Sequence, residues 1–182
     1  MTEVSINKSI RLSQHYTLGE MTKTGTGIPN IPSRVSIENL KHVCEWLEEL
    51  RRRYNERYVF EEGGRRKEEG EYSKGREETE EAEETEEAEE PIVITSGYRS
   101  PEVNRAVGGS PTSNHLTGCA VDIRCAGIEQ ALRYAVILID YADESRQDYD
   151  ELLIERNKSG RYWVHFAVRP KENRRKTLFL QK

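Results

Sequence analysis

Apolar positions recur along this chain in two periods, and the switches between them mark its elements. Between residues 36 and 54, Ile37, Leu40, Cys44, Leu47 and Leu50 fall three or four places apart, with Val43 and Trp46 flanking the stripe. That spacing winds onto one side of an α-helix, leaving Glu45, Glu48, Glu49 and Arg51 to Arg53 on the other. Ser36 reads as its N-cap. A second helix is expected over 127–140, where Ile128, Leu132, Ala135 or Val136, and Ile139 repeat in the same way. Elsewhere the period is two. Pro91-Ile92-Val93-Ile94-Thr95 is a β-branched run and predicts a buried strand at 91–95. Further strands are expected at 119–124, 151–156 and 161–168, the last two joined by the turn chemistry of Asn157-Lys158-Ser159-Gly160. Ser100-Pro101-Glu102 supplies the N-cap, N1 and first-turn acid of a short helix that Gly108-Gly109 stops. The predicted class is α+β, a small antiparallel sheet backed by the two longer helices, in one domain of 182 residues.

One stretch follows neither period. Residues 61–90 carry 15 Glu against five Lys or Arg, and hold no apolar residue larger than Ala except Tyr72. Such a tract cannot bury enough surface to offset its ordering entropy, so it reads as a long, charged, disordered insertion within the domain. It is either a loop with no role of its own, an acidic lure for a basic partner, or a self-masking lid over the basic body. The tract also distorts the overall charge. The net of −5 conceals a remainder with 23 basic against 18 acidic residues, a mildly basic body that suits an anionic partner. No apolar run reaches transmembrane length, and Met1-Thr2-Glu3-Val4-Ser5 lacks the basic start and apolar centre of a secretory signal. The expectation is that the protein either stays in the cytoplasm where it is made or is carried across the membrane by something else. Three cysteines (Cys44, Cys119, Cys125) without a Cys-x-x-Cys form neither a disulfide framework nor a cysteine zinc site.

The chemistry concentrates in Ser113-Asn114-His115-Leu116-Thr117-Gly118-Cys119-Ala120-Val121-Asp122. Alternation puts Cys119, Val121 and Ile123 on one face of a strand and Ala120 and Asp122 on the other, a carboxylate beside a small side chain. His165 lies 43 residues beyond Asp122 and shares its strand face with Trp163 and Ala167, opposite Val164, Phe166 and Val168. Taken singly, such residues are ordinary surface, turn or core side chains. Together, His115, Asp122 and His165 form a three-ligand set of the kind that holds zinc with one coordination position open, the catalytic arrangement. His15 and His42 have no such pattern around them and read as structural or exposed. Arg99, delivered by a strand end, could bind an anion or serve as an ordinary surface ion-pair residue.

The pattern Ser-x-His-x-x-Gly-x-Ala-x-Asp resembles the signature of the zinc D-Ala-D-Ala peptidases, whose fold is shared with the hedgehog signalling domain. Ile94-Thr95-Ser96-Gly97-Tyr98-Arg99-Ser100, Val107-Gly108-Gly109-Ser110 and Trp163-Val164-His165 extend the resemblance over most of the chain from about Thr17 to Val168, closest to the D-Ala-D-Ala carboxypeptidase-like branch. It implies one zinc per chain on His115, Asp122 and His165, and substrate contacts from Arg99, Ser113 and Trp163, with Arg99 also serving catalysis. It implies a peptidoglycan peptide as substrate, for a monomer with no nucleic-acid partner and no membrane insertion. The chain departs from the pattern at the general base. Many members place a Glu three residues before the last zinc His, where this sequence has Tyr162; others place a His five residues before it, where Gly160 stands. The best local carboxylate is Glu155, across the expected hairpin, with Glu151 and Asp150 as competitors, and a one-residue slip in register would turn Glu155 to the other face. Two classes stay open, a peptidase acting as carboxypeptidase or endopeptidase, possibly of the phage-lysin type, and a non-catalytic wall-binding relative that has lost its base.

Overall fold

A computed structural model describes residues 7–60 and 89–181. The first element is a single helical turn, α1 (Leu18–Met21), closed by a capping box in which Thr17 and Glu20 satisfy each other's backbone N–H groups. The long helix α2 (Arg34–Tyr54) follows, continued by one π-helical turn, Asn55–Phe60. Its N-cap is Ser33, not Ser36: the Ser33 hydroxyl accepts the Ser36 N–H at 3.1 Å. The apolar stripe begins only at Ile37 because Val35 faces solvent, so the pattern hides the first turn. After the acidic tract come β1 (Ile94–Ser96), α3 (Pro101–Ala106) and the 3-10 turn Asn114–Thr117. Then follow β2 (Ala120–Arg124), α4 (Ile128–Ser145), β3 (Glu151–Arg156), β4 (Tyr162–Ala167) and β5 (Lys176–Gln181). The short helix α3 has the predicted Ser100 cap with Pro101 at its start.

The five strands form one sheet in the order β1-β2-β4-β3-β5. All neighbours pair antiparallel except β3 and β5, which run parallel, so the sheet is mixed rather than wholly antiparallel. No buried face announces β5 in the sequence, because nearly all of it is exposed, Leu178 and Phe179 included. The first strand starts three residues later than the expected 91–95 and ends one residue beyond it, and its pairing with β2 is irregular between Ile94 and Ser96.

One face of the sheet carries Val121 and Ile123, Val164 and Phe166, and Leu152 and Ile154, all buried against α2 and α4. Trp46 of α2 stands edge-on to Tyr141 of α4 at 4.8 Å and tilts onto Phe166 at 5.3 Å, joining both helices to the sheet. Residues 61–88 of the expected insertion lie outside the described residues. Its last two residues are described and tied down: Arg51 donates to Glu89 at 2.9 Å, and Asn55 and Glu90 exchange backbone-to-amide hydrogen bonds of 2.6 and 3.1 Å. Glu89 and Glu90 thus lie beside the end of α2.

Candidate metal centre

Pairing register brings the site together. Asp122 of β2 sits directly opposite His165 of β4, and His165 sits opposite Leu153 of β3. All three point away from the helices, on the face that also bears Trp163, Glu151 and Glu155. His115 arrives from outside the sheet on the 3-10 turn. Ser113 caps that turn, its hydroxyl accepting the His115 backbone N–H at 3.3 Å, and Gly118 ends it with φ 75°. A side chain at Gly118 would strike the Ser36 carbonyl as well as strain the backbone, so glycine is required there. The loop after β1 is sewn to the same turn by the Arg99 N–H donating to the His115 carbonyl at 3.0 Å. Gly97 lies so close to Met21 that any Cβ would collide with its carbonyl.

One ligand-type atom from each of His115, Asp122 and His165 lies within 4.8 Å of the other two. Asp122 Oδ1 is 3.0 Å from His165 Nδ1 and 3.3 Å from His115 Nε2. Tetrahedral zinc with ligands about 2 Å away holds neighbouring donors roughly 3.3 Å apart, so this set fits the ion with little movement. The His115 tautomer fits as well. Its Nδ1 is 2.6 Å from the Gly97 carbonyl, which can only accept, so Nδ1 carries the proton and the Nε2 lone pair faces the centre. Arg99 donates to Asp122 Oδ2 and, at 2.8 Å, to Ser96 Oγ, which fixes the carboxylate plane.

The electrostatics favour a cation. Burial pushes the His115 imidazolium down, so this ring is neutral and ready to ligate. Burial opposes ionisation of Asp122, yet the charges and hydrogen bonds of His115 and His165 hold its carboxyl far below the usual range. Burial likewise opposes charge on His165, but the hydrogen bond to Asp122 and the nearby Glu151 carboxylate raise it to about 9. Without metal the centre therefore retains a proton on His165, positive charge that a bound cation would replace.

An open cleft of about 890 Å³ lies over the cluster. Arg99, Ser113, Trp163 and Glu155 all line it, as does Glu151. Glu155 is buried, at 3% exposure, and stands two places along β3 from the partner of His165. Asp150 is elsewhere. It is wholly buried and held by Arg174 at 2.7 and 2.8 Å, Arg169 at 3.0 Å and Asn114 at 2.7 Å, which leaves it structural. Sequence reading missed this knot of Asn114, Arg169 and Arg174; its only signal was a polar Asn inside the motif and a basic cluster after β4. His15 and His42 are remote, hydrogen-bonded to Glu48 and Glu45. All three cysteines are free and buried.

A model of the peptidase M15 family matches residues 77–142, a span containing Arg99, Ser113, His115 and Asp122. It stops before β3 and β4, so Glu155, Trp163 and His165 rest on geometry alone. No curated protein matches the chain. Over those residues, about a third of the chain, the protein is similar to the peptidase M15 family, and the fold completes a His-Asp-His cluster around the matched span.

Proposed function

We propose that this protein is a zinc-dependent peptidase that hydrolyses peptide bonds of D-amino acids in peptidoglycan, as a D,D-carboxypeptidase or endopeptidase. The observation that carries this reading is the convergence of His115, Asp122 and His165 on the floor of a cleft. Zinc bound there would act as a Lewis acid toward the scissile carbonyl and lower the pKa of water. Glu155 accepts the proton of the attacking water and returns it to the leaving amine, so its burial beside the cluster serves catalysis rather than packing. Arg99 holds Asp122 in its orientation and presents permanent charge to a substrate carboxylate or to the oxyanion that forms at the scissile carbonyl. Trp163 and Ser113 form walls of the cleft against which the peptide lies.

Arg99, Arg169, Arg174 and Lys176 line the cleft beside the carboxylates of Asp122, Glu151 and Glu155, and each of the four is ion-paired to Asp122, Asp150 or Glu151. Among the described residues no helix is long and apolar enough to cross a membrane. The test is mass spectrometry of peptidoglycan fragments after incubation with the zinc-loaded protein. Loss of a terminal D-amino acid identifies a carboxypeptidase, and separation of cross-linked stems an endopeptidase. Unchanged fragments that nevertheless bind the zinc-loaded protein would sink the peptidase reading in favour of a non-catalytic wall-binding relative.

A further inference from the structure

The ring of His165 lies between two carboxylates. Asp122 Oδ1 is 3.0 Å from Nδ1, and Glu151 Oε2 is 3.6 Å from Nε2, at ion-pair separation. If Nδ1 gives its lone pair to a cation, the only ring proton left sits on Nε2, turned toward Glu151. Glu151 is itself fixed from three directions. Its Oε2 accepts from Asn114 Nδ2 at 3.0 Å, while its Oε1 faces Arg174 at 3.0 Å and Lys176 at 3.3 Å. Those partners come from the 3-10 turn, the segment after β4, and β5. Asn114 is the immediate neighbour of His115, so one carboxylate connects the turn carrying the first ligand to the strand carrying the third.

A carboxylate offers about four acceptor sites. In Glu151 they face Asn114, His165, Arg174 and Lys176, which leaves it poorly placed to take a proton from water. We propose that Glu151 is the positioning residue of the metal centre. It orients the Nε2 side of His165 so that Nδ1 is the nitrogen turned to the metal, and it couples the His115 turn to the same point. This assignment rests on the metal-centre reading above and divides the two glutamates of β3, Glu151 for geometry and Glu155 for proton transfer.

Zinc affinity separates the two roles, measured by competition with a chromophoric chelator on the parent, Glu151→Ala, Glu151→Gln and Glu155→Gln. The same proteins loaded with cobalt report ligand geometry through their visible absorption. Loss of a partner that orients a metal-bound histidine typically weakens metal binding by about 10- to 100-fold, which is the expectation for Glu151→Ala. Its cobalt spectrum should change as the His165 ring turns. Glu151→Gln keeps an oxygen able to accept from Nε2, so it should recover most of that loss while staying measurably weaker than the parent. Glu155→Gln should match the parent in both readouts. Parental affinity and spectrum in Glu151→Ala would overturn the proposal; should that variant fail to fold, parental values in Glu151→Gln overturn it equally. A parent that takes up no zinc would remove the metal-centre reading itself, a failure distinct from equal binding by parent and variants.

Discussion

The two faces of the central strands are built from alternate residues of the same segments and obey opposite rules. On the helix side, Val121, Ile123, Val164 and Phe166 are fully buried apolar groups, and nothing there requires a particular hydrogen bond. On the cleft side their immediate neighbours, Asp122 and His165, are polar and only slightly exposed, and each needs named partners to offset desolvation. The helix side tolerates any side chain of the right volume. The cleft side depends on register, because a slip of one place would bury Asp122 among hydrophobes and expose Val121. Stability and chemistry are thus separated by single steps along the chain.

Adjacent substitutions give the sharpest test of that division. Phe166→Ala removes a ring packed on Trp46 and Tyr149 and should cost about 3–5 kcal/mol in urea denaturation. One residue away, His165→Ala should cost the metal-free protein less than about 2 kcal/mol, since Asp122 keeps His115 and Arg99, but should abolish zinc uptake. Equal stability losses in the two variants would break the comparison. Within the cleft, Glu155→Gln should retain zinc yet lower turnover by about 10²- to 10⁴-fold, the usual worth of general acid–base catalysis. Full turnover in that variant would mean that the proton goes elsewhere.

The parts of this arrangement legible in the sequence are those where a period or a motif forces one answer. Alternation around Val121 and Phe166 assigned both faces of β2 and β4, whereas the hairpin register stayed open to a one-residue slip until the fold set Glu155 opposite Trp163. The His-Asp-His cluster was legible because the spacing of His115 and Asp122 spans a turn and the start of a strand. What stayed hidden depends on tertiary contact. β5 has no buried face to give it a period, and its parallel pairing with β3 is a choice the chain makes only in space. The different partners of Asp150, Glu151 and Glu155 were hidden for the same reason. Three acids lie within six residues, and only the positions of Arg169, Arg174 and Lys176 distinguish them.

Asp150 sharpens the comparison from the other direction, as a buried acid whose work is structural. Burial alone would raise its carboxyl, but hydrogen bonds from Arg174 and Asn114 and the charge of Arg169 hold it below the ordinary aspartate range. A carboxyl depressed in the folded state contributes stability above its unfolded pKa and loses it as pH falls through the folded one. Asp150→Asn should therefore cost about 2 kcal/mol at neutral pH, and the gap from the parent should close below about pH 4. A gap that is unchanged at pH 3 would show that charge at Asp150 is not what the network uses.

The smallest effect is expected where neither face is involved. Residues 63–88 contain no apolar side chain larger than Ala except Tyr72, so they offer the core almost nothing to bury. The chain on either side is secured without them, by Asn55 holding Glu90 and by Arg51 holding Glu89. Replacing 63–88 with a short Gly-Ser linker that retains Glu89 should change the stability of the metal-free protein by less than about 1 kcal/mol, the more so because loop-closure cost grows only slowly with length. Zinc affinity should stay at the parental value, since the cluster lies on strands the tract does not join. Electrostatics should change more than stability. The tract outweighs the net positive charge of the remainder and makes the whole chain net negative, so its loss should tighten binding to anionic wall polymer, and added salt should erase the gain. Tighter binding that persists in high salt would assign the tract a steric role over the basic body instead, and a replacement that unfolds the protein would show that the acidic segment belongs to the core after all.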